Sequence, residues 1–149
     1  MKILFLHGLN STPGGQKPTT LSNAGHEVIE PYLPSNNWVD SVSMAQEAYD
    51  EEQPDIVVGS SRGAAVAMAA DMPVHKMILI APAWKRYCPN CTISPNTTIL
   101  HSPEDKIIAF ADSELLSKMY GAELVIAGDN HRMNDGGALA KLMQAIDNS

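Results

Sequence analysis

Six short apolar runs, at residues 2–7, 27–32, 55–60, 76–81, 97–101 and 122–127, recur along a chain of 149 residues with helix-like segments between them. Several of these runs lack the in-and-out alternation of a half-exposed strand, as in Ile56-Val57-Val58 and Met77-Ile78-Leu79-Ile80. Continuous apolar strands suit a sheet covered on both faces, which is how parallel sheets occur. Trp38, Val42, Ala45 and Tyr49 share one helical face, as do Ile108, Ala111, Leu115 and Met119, and then Leu139, Leu142, Met143 and Ile146; each stripe is expected to pack on the core. Half of residues 62–71 are alanine, with Val66 and Met68 among the rest, so a helix there can lie close against a sheet. Alternating β and α elements predict an α/β fold with a mostly parallel sheet. The one long irregular stretch is 82–96, and without a repeat or linker the chain reads as a single domain over 1–149.

Composition narrows the function classes. With 44% apolar and 18% charged residues the profile is that of a globular domain, and a chain of this length buries about two-thirds of its unfolded surface, so folding needs neither disulfide nor metal. Ten Lys and Arg against 17 Asp and Glu give a net charge of −7, which opposes non-specific binding to nucleic acid or anionic membrane. The run Ile3-Leu4-Phe5-Leu6 ends at His7-Gly8, far short of a signal sequence or membrane span, so a cytoplasmic location is expected. Cys88 and Cys91 form a C-x-x-C pair, but they sit in a Pro-rich mid-chain loop with no further zinc ligands nearby. Free loop cysteines are the expectation, and a redox module is the alternative.

In open α/β sheets ligands bind beyond the carboxyl ends of the strands. The residues there are His7-Gly8-Leu9-Asn10-Ser11, Gly59-Ser60-Ser61-Arg62-Gly63, Glu104-Asp105 and Asp129-Asn130-His131. The second is a G-x-S-x-G pattern between an apolar strand and an Ala-rich helix, the setting of a nucleophile elbow, in which glycines flank the serine because the turn is too sharp for side chains. Ser60 competes with Ser61, but Ser61 alone has glycine two before and two after it. A serine hydroxyl needs a base to take its proton, and the base needs a carboxylate to orient it. Acid and then histidine follow the serine in elbows of this kind, an order that Ser61, Asp105 and His131 satisfy. His26 and His75 precede strands, His101 leaves no later acid and base, and His7 is placed to brace the loop. Glu104 and Asp129 are the rival acids. The backbone N–H groups of Leu9 and Arg62 are the candidate oxyanion donors.

These segments, with Gly25-His26-Glu27-Val28-Ile29-Glu30-Pro31, Pro82-Ala83-Trp84-Lys85-Arg86 and Ile99-Leu100-His101-Ser102-Pro103-Glu104-Asp105, resemble the small, lidless bacterial members of the α/β-hydrolase superfamily, over nearly the whole chain and in the same order. The resemblance implies a minimal three-layer sandwich with six strands in the order 2-1-3-4-5-6. It also implies a serine carboxylesterase or thioesterase that uses Ser61, Asp105 and His131 and needs no cofactor. Gly63-Ala64 departs from the pattern, because many small esterases carry a second glycine there. A non-catalytic ligand receptor on the same fold is the rival from another class.

His7, Asn10, Trp84, Arg86 and Arg132 are the candidate substrate-binding residues. The three arginines, Arg62, Arg86 and Arg132, all follow strands on the side where the triad assembles, and Lys85 joins them. They form either a cationic rim that attracts an anionic ester or thioester, or ion pairs with Glu104, Asp129 or Asp135 that brace the loops.

Overall fold

The apolar runs pair in parallel, and the computed structural model describes residues 1–9 and 11–149. Strands β1 (Lys2–Leu6), β2 (Glu27–Ile29), β3 (Ile56–Ser60), β4 (Lys76–Ile80), β5 (Thr97–His101) and β6 (Glu123–Ile126) form one sheet in the order β2-β1-β3-β4-β5-β6. Every neighbouring pair is parallel. The order is the expected one.

Alternation along each central strand divides the core in two. Leu4, Leu6, Val57, Leu79 and Ile99 face a layer built from α2 (Trp38–Glu52), α3 (Arg62–Ala69), α4 (Trp84–Tyr87) and α5 (Phe110–Tyr120). Ile3, Phe5, Ile56, Val58, Ile78 and Ile80 face α1 (Gln16–Asn23) and α6 (Gly136–Asp147). Full burial of one such aliphatic side chain contributes about 1.5–3 kcal/mol. With both faces covered, the strand ends are left open to carry chemistry. Asn37 caps α2 by accepting the Asp40 N–H, and Asp135 caps α6 by accepting that of Ala138.

The structure departs from the sequence reading in four places. Strand β2 stops at Ile29 rather than at 32, because Pro31 has no N–H to give the ladder. Helix α1 was not expected; Pro18 is its third residue, where no intrahelical acceptor exists for a backbone N–H. A single helical turn, α4, lies in the stretch expected to be irregular. On α5 the buried positions are Ser113 and Leu116, whereas Leu115 is 40% and Met119 52% exposed. The predicted apolar stripe is therefore not the packed face. Ser113 turns inward because its hydroxyl has a buried partner in the site below.

Candidate active site

Ser61 stands at the turn from β3 into α3 with φ 57° and ψ −113°, a region that non-glycine residues rarely occupy. Its N–H donates to the Ile80 carbonyl at 2.8 Å, and its own carbonyl accepts from the Ala83 N–H at 3.1 Å. These bonds tie the strained turn to the end of the neighbouring strand. A Cβ on Gly59 would fall 2.6 Å from Ala64 Cα, and one on Gly63 would press into the Leu6 carbonyl oxygen. Both glycines are required by close approach.

The loop after β6 turns at Gly128 (φ 80°), and Asn130 Oδ1 accepts the N–H groups of Arg132 and Met133. This geometry brings His131 across the strand ends, with Nε2 2.9 Å from Ser61 Oγ and Nδ1 2.7 Å from Asp105 Oδ2. The Asp105 side chain is wholly buried and that of His131 is 17% exposed. Glu104 and Asp129, the rival acids, are exposed.

Asp105 accepts four hydrogen bonds. Oδ1 takes the N–H groups of Ile107 and Ile108 at 2.8 and 2.9 Å, and Oδ2 takes His131 Nδ1–H and also His101 Nε2–H at 2.9 Å. Burial alone would push this carboxyl up. The Ile108 N–H, His131, the Ile107 N–H and His101 outweigh burial and hold Asp105 below the usual carboxylate range. An ionised carboxylate only accepts, so both imidazole nitrogens facing it carry hydrogens. In neutral His131 that leaves Nε2 with its lone pair toward the Ser61 hydroxyl, the arrangement a general base requires.

His101, which chain order excludes as the base, nevertheless belongs to the site: it is fully buried between Asp105 and Ser113, whose Oγ lies 2.6 Å from Nδ1. The available signal was a histidine closing a strand directly after the apolar pair Ile99-Leu100. His7 is 3% exposed. Its Nε2 accepts from the Leu33 N–H at 2.9 Å, so Nδ1–H donates to the Gly8 carbonyl at 3.0 Å. Both nitrogens are thereby used in holding the loop and are closed to substrate. Among the described residues, the N–H groups of Leu9 and Arg62 donate to no other group.

No family model and no curated protein matches the sequence. Solved structures match it over nearly its whole length. A Xanthomonas campestris protein assigned to the alpha/beta superfamily of hydrolases superimposes with a TM-score of 0.81 at 21% identity, covering 96% of each chain. The mouse alpha/beta hydrolase domain-containing protein 10 gives 0.76 at 17% identity, covering 99% of this chain and 88% of the other. The esterase domain of a Rhodothermus marinus protein gives 0.70 at 16% identity, covering 97% and 84%. The fold is that of the α/β-hydrolases. At these identities the likeness is one of fold, and the chemistry has to be argued from the residues of this chain.

In this α/β-hydrolase fold the strand ends open into a cleft of about 500 Å³, whose lining includes Leu9, Ser61, Ile108 and His131. Arg86 and Arg132 line it, are exposed, and have no carboxylate partner among the described residues. The remaining cationic candidates are placed differently. Lys85 pairs with Asp112 at 2.9 Å. The guanidinium of Arg62 bonds to Ser41 Oγ and the Pro34 carbonyl, 5.5 Å from the ring centroids of both Trp38 and Tyr87. Arg62 is an internal brace, and its side chain is not part of a rim. Trp84, expected to contact substrate, is only 4% exposed and donates through Nε1 to the Asp112 carbonyl; its large apolar ring packs in the core. Asn10 lies outside the described residues.

Lys17, on the unexpected helix α1, also lines the cleft. Its Nζ donates to the Arg132 carbonyl at 2.6 Å and to Asn134 Oδ1 at 2.9 Å. Burial, aided by the nearby Arg132 charge, pulls its pKa down to about 8. Glu30 is the one carboxylate lining the cleft among the described residues; burial raises its pKa against the opposing effects of the Gly14 N–H and His7.

Cys88 is buried and donates to the Ala65 carbonyl, and Cys91 is half-buried; both are free. Burial, together with the adjacent Cys91, raises the Cys88 thiol pKa, the opposite of what a reactive thiolate needs. Among the described residues, no cluster of three or more His, Cys, Asp and Glu side chains is arranged to hold a metal, and no helix is long and apolar enough to cross a membrane.

Proposed function

We propose that this protein is a serine hydrolase that cleaves a carboxylic ester or thioester of a small substrate through an acyl-enzyme on Ser61. The observation that carries the reading is the unbroken relay of 2.9 and 2.7 Å from Ser61 Oγ through His131 to a buried Asp105, begun from a serine held at positive φ. Strain at such a position argues for a task that only this geometry performs.

In this reading His131 Nε2 takes the proton from Ser61 as Oγ attacks the acyl carbonyl carbon. The oxyanion that forms is met by the N–H groups of Leu9 and Arg62, which have no other acceptor among the described residues. Asp105 stays ionised and stabilises the imidazolium. The imidazolium then gives its proton to the departing alkoxide or thiolate, and the acyl group remains on Ser61. Water enters and loses a proton to Nε2 as its oxygen attacks the acyl carbon, and the imidazolium returns that proton to Ser61 Oγ as the carboxylic acid leaves. Four donors on Asp105 keep it an anion throughout, so it does not compete with His131 for the proton.

A panel of chromogenic esters and thioesters differing in chain length tests this proposal. Turnover by the wild type, with a loss on the order of 10⁴-fold in kcat for Ser61→Ala, is the expected result. Turnover that survives Ser61→Ala would overturn it.

A further inference from the structure

The protein is acidic, at net −7, but the cleft beside Ser61 is not. Lys17, Arg86 and Arg132 all line it, against Glu30 as the one carboxylate among the described lining residues. None of the three cations has an ion-pair partner among the described residues. Unpaired cations are common on basic surfaces, but here ten positive charges share a chain with 17 negative ones, and the carboxylates found in ion pairs among the described residues are paired elsewhere. Glu52 and Glu27 lie beside Lys2, Asp112 beside Lys85, and Asp105 between two histidines.

Lys17 adds a second kind of observation. Its ammonium is drawn down toward the His131 loop by two acceptors that are both neutral, the Arg132 carbonyl and Asn134 Oδ1. Three hydrogens are available on an ammonium, so one remains uncommitted among these contacts. Placing a partly buried cation next to a guanidinium with no counter-charge is unfavourable, and the lowered pKa of Lys17 reports that penalty. A bound anion would relieve it.

We propose that Lys17, Arg86 and Arg132 form an anion subsite in the cleft beside Ser61, so that the preferred substrate is an ester or thioester carrying a carboxylate or phosphate group near the scissile bond. The proposal rests on the serine-hydrolase reading and specifies its substrate class. Arg132 follows the base in sequence and Lys17 holds the carbonyl of Arg132, so the subsite and the general base share one loop. A substrate anion anchored there would bring its carbonyl toward Ser61, which is approximation rather than chemistry. Arg86, on the one-turn helix α4, lines the same cleft, with its guanidinium 5.4 Å from the ring centroid of Tyr87. Guanidinium groups suit the planar, two-oxygen face of a carboxylate or phosphate.

Two matched ester pairs test the subsite. In one the acyl group is butyryl or hemisuccinyl on a common chromogenic alcohol; in the other a phosphate is present or absent in the alcohol. The anionic member of at least one pair is expected to show a KM roughly tenfold lower, and about 1 M salt, where the screening length is near 3 Å, should remove most of the difference. Arg86→Gln with Arg132→Gln should raise KM for the anionic ester several-fold more than for the neutral one. Lys141→Gln, an exposed charge control on α6, should not alter the ratio. A titration of Ser61→Ala with succinate, inorganic phosphate and neutral butyramide separates the subsite from the hydrolase reading, because it needs no turnover. Tighter binding of succinate or phosphate than of butyramide, lost in the double arginine variant, supports the subsite even if no ester is cleaved. Equal KM values in both pairs, together with binding of succinate no tighter than that of butyramide and none of phosphate, would overturn it.

Discussion

His101 Nε2 lies 2.9 Å from Asp105 Oδ2, and neither side chain exposes any surface. The same oxygen accepts from His131 Nδ1, so two histidines share one acceptor. His101 touches neither Ser61 nor the cleft; it acts through Asp105 as a positioning residue. Removing its hydrogen bond leaves Oδ2 a stronger acceptor for His131 alone and frees Asp105 to turn. His101→Phe is expected to lower kcat by roughly tenfold, with little change in KM. It should also move the acid limb of the kcat/KM profile to higher pH, because a less satisfied carboxylate favours the imidazolium more. His101→Gln, which keeps a donor, should restore part of the rate. A stability loss with an unchanged pH profile would show that His101 is packing only.

Asp105 ties stability to pH. Its folded pKa is depressed relative to the unfolded chain, so its contribution is fully present above the unfolded value of about 3.9 and is lost as pH falls through the folded value. Asp105→Asn should therefore be less stable than wild type above about pH 4, by a margin that narrows as the pH falls below that value. Denaturant titrations at a series of pH values measure that margin. The same variant should lose about 10⁴-fold in kcat, because an amide can hold His131 in the wrong tautomer.

The elbow glycines differ from Gly8 in what they tolerate. A Cβ on Gly63 meets main-chain oxygens of Leu6 and His7, whereas on Gly8 the nearest atom is Ser60 O at 3.3 Å. Gly63→Ala is expected to destabilise by more than about 2 kcal/mol, since backbone must move. Gly8→Ala should fall well below that. Chemical denaturation of the two variants compares them directly.

Arg62 tests the distinction between brace and rim. Its guanidinium joins the Ser41 hydroxyl, the Pro34 carbonyl and two aromatic rings on the α2 side of the sheet. Arg62→Met should lower stability by roughly 1–3 kcal/mol and leave the preference between anionic and neutral esters as it was. A changed preference would return Arg62 to the substrate-binding side.

Fold and site were legible to different depths. The parallel sheet followed from runs such as Ile56-Val57-Val58, whose lack of alternation needs two covered faces, its strand order followed only from the resemblance to the α/β-hydrolases, and Gly59 and Gly63 marked the one turn where a serine could be so tightly held. What stayed hidden depends on side chains whose direction is set by tertiary partners. Leu115 and Met119 look like a core stripe, but the Ser113–His101 bond rotates α5 so that a serine faces inward. Arg62 looks like a surface charge until the stacked rings of Trp38 and Tyr87, from two other elements, are seen beside its guanidinium. Lys17 gave no signal because α1 has few buried residues, only Pro18 and Leu21, and therefore no amphipathic pattern to find.

The central claim, that Ser61 is a nucleophile activated by His131, is tested most directly by incubating the protein with a fluorophosphonate and mapping the adduct by peptide mass spectrometry. The account predicts one adduct per chain, on Ser61, still formed in Ser60→Ala and absent in Ser61→Ala and in His131→Ala. An adduct on Ser60, or wild-type protein that stays unlabelled while a known serine hydrolase in the same tube is labelled, would contradict it.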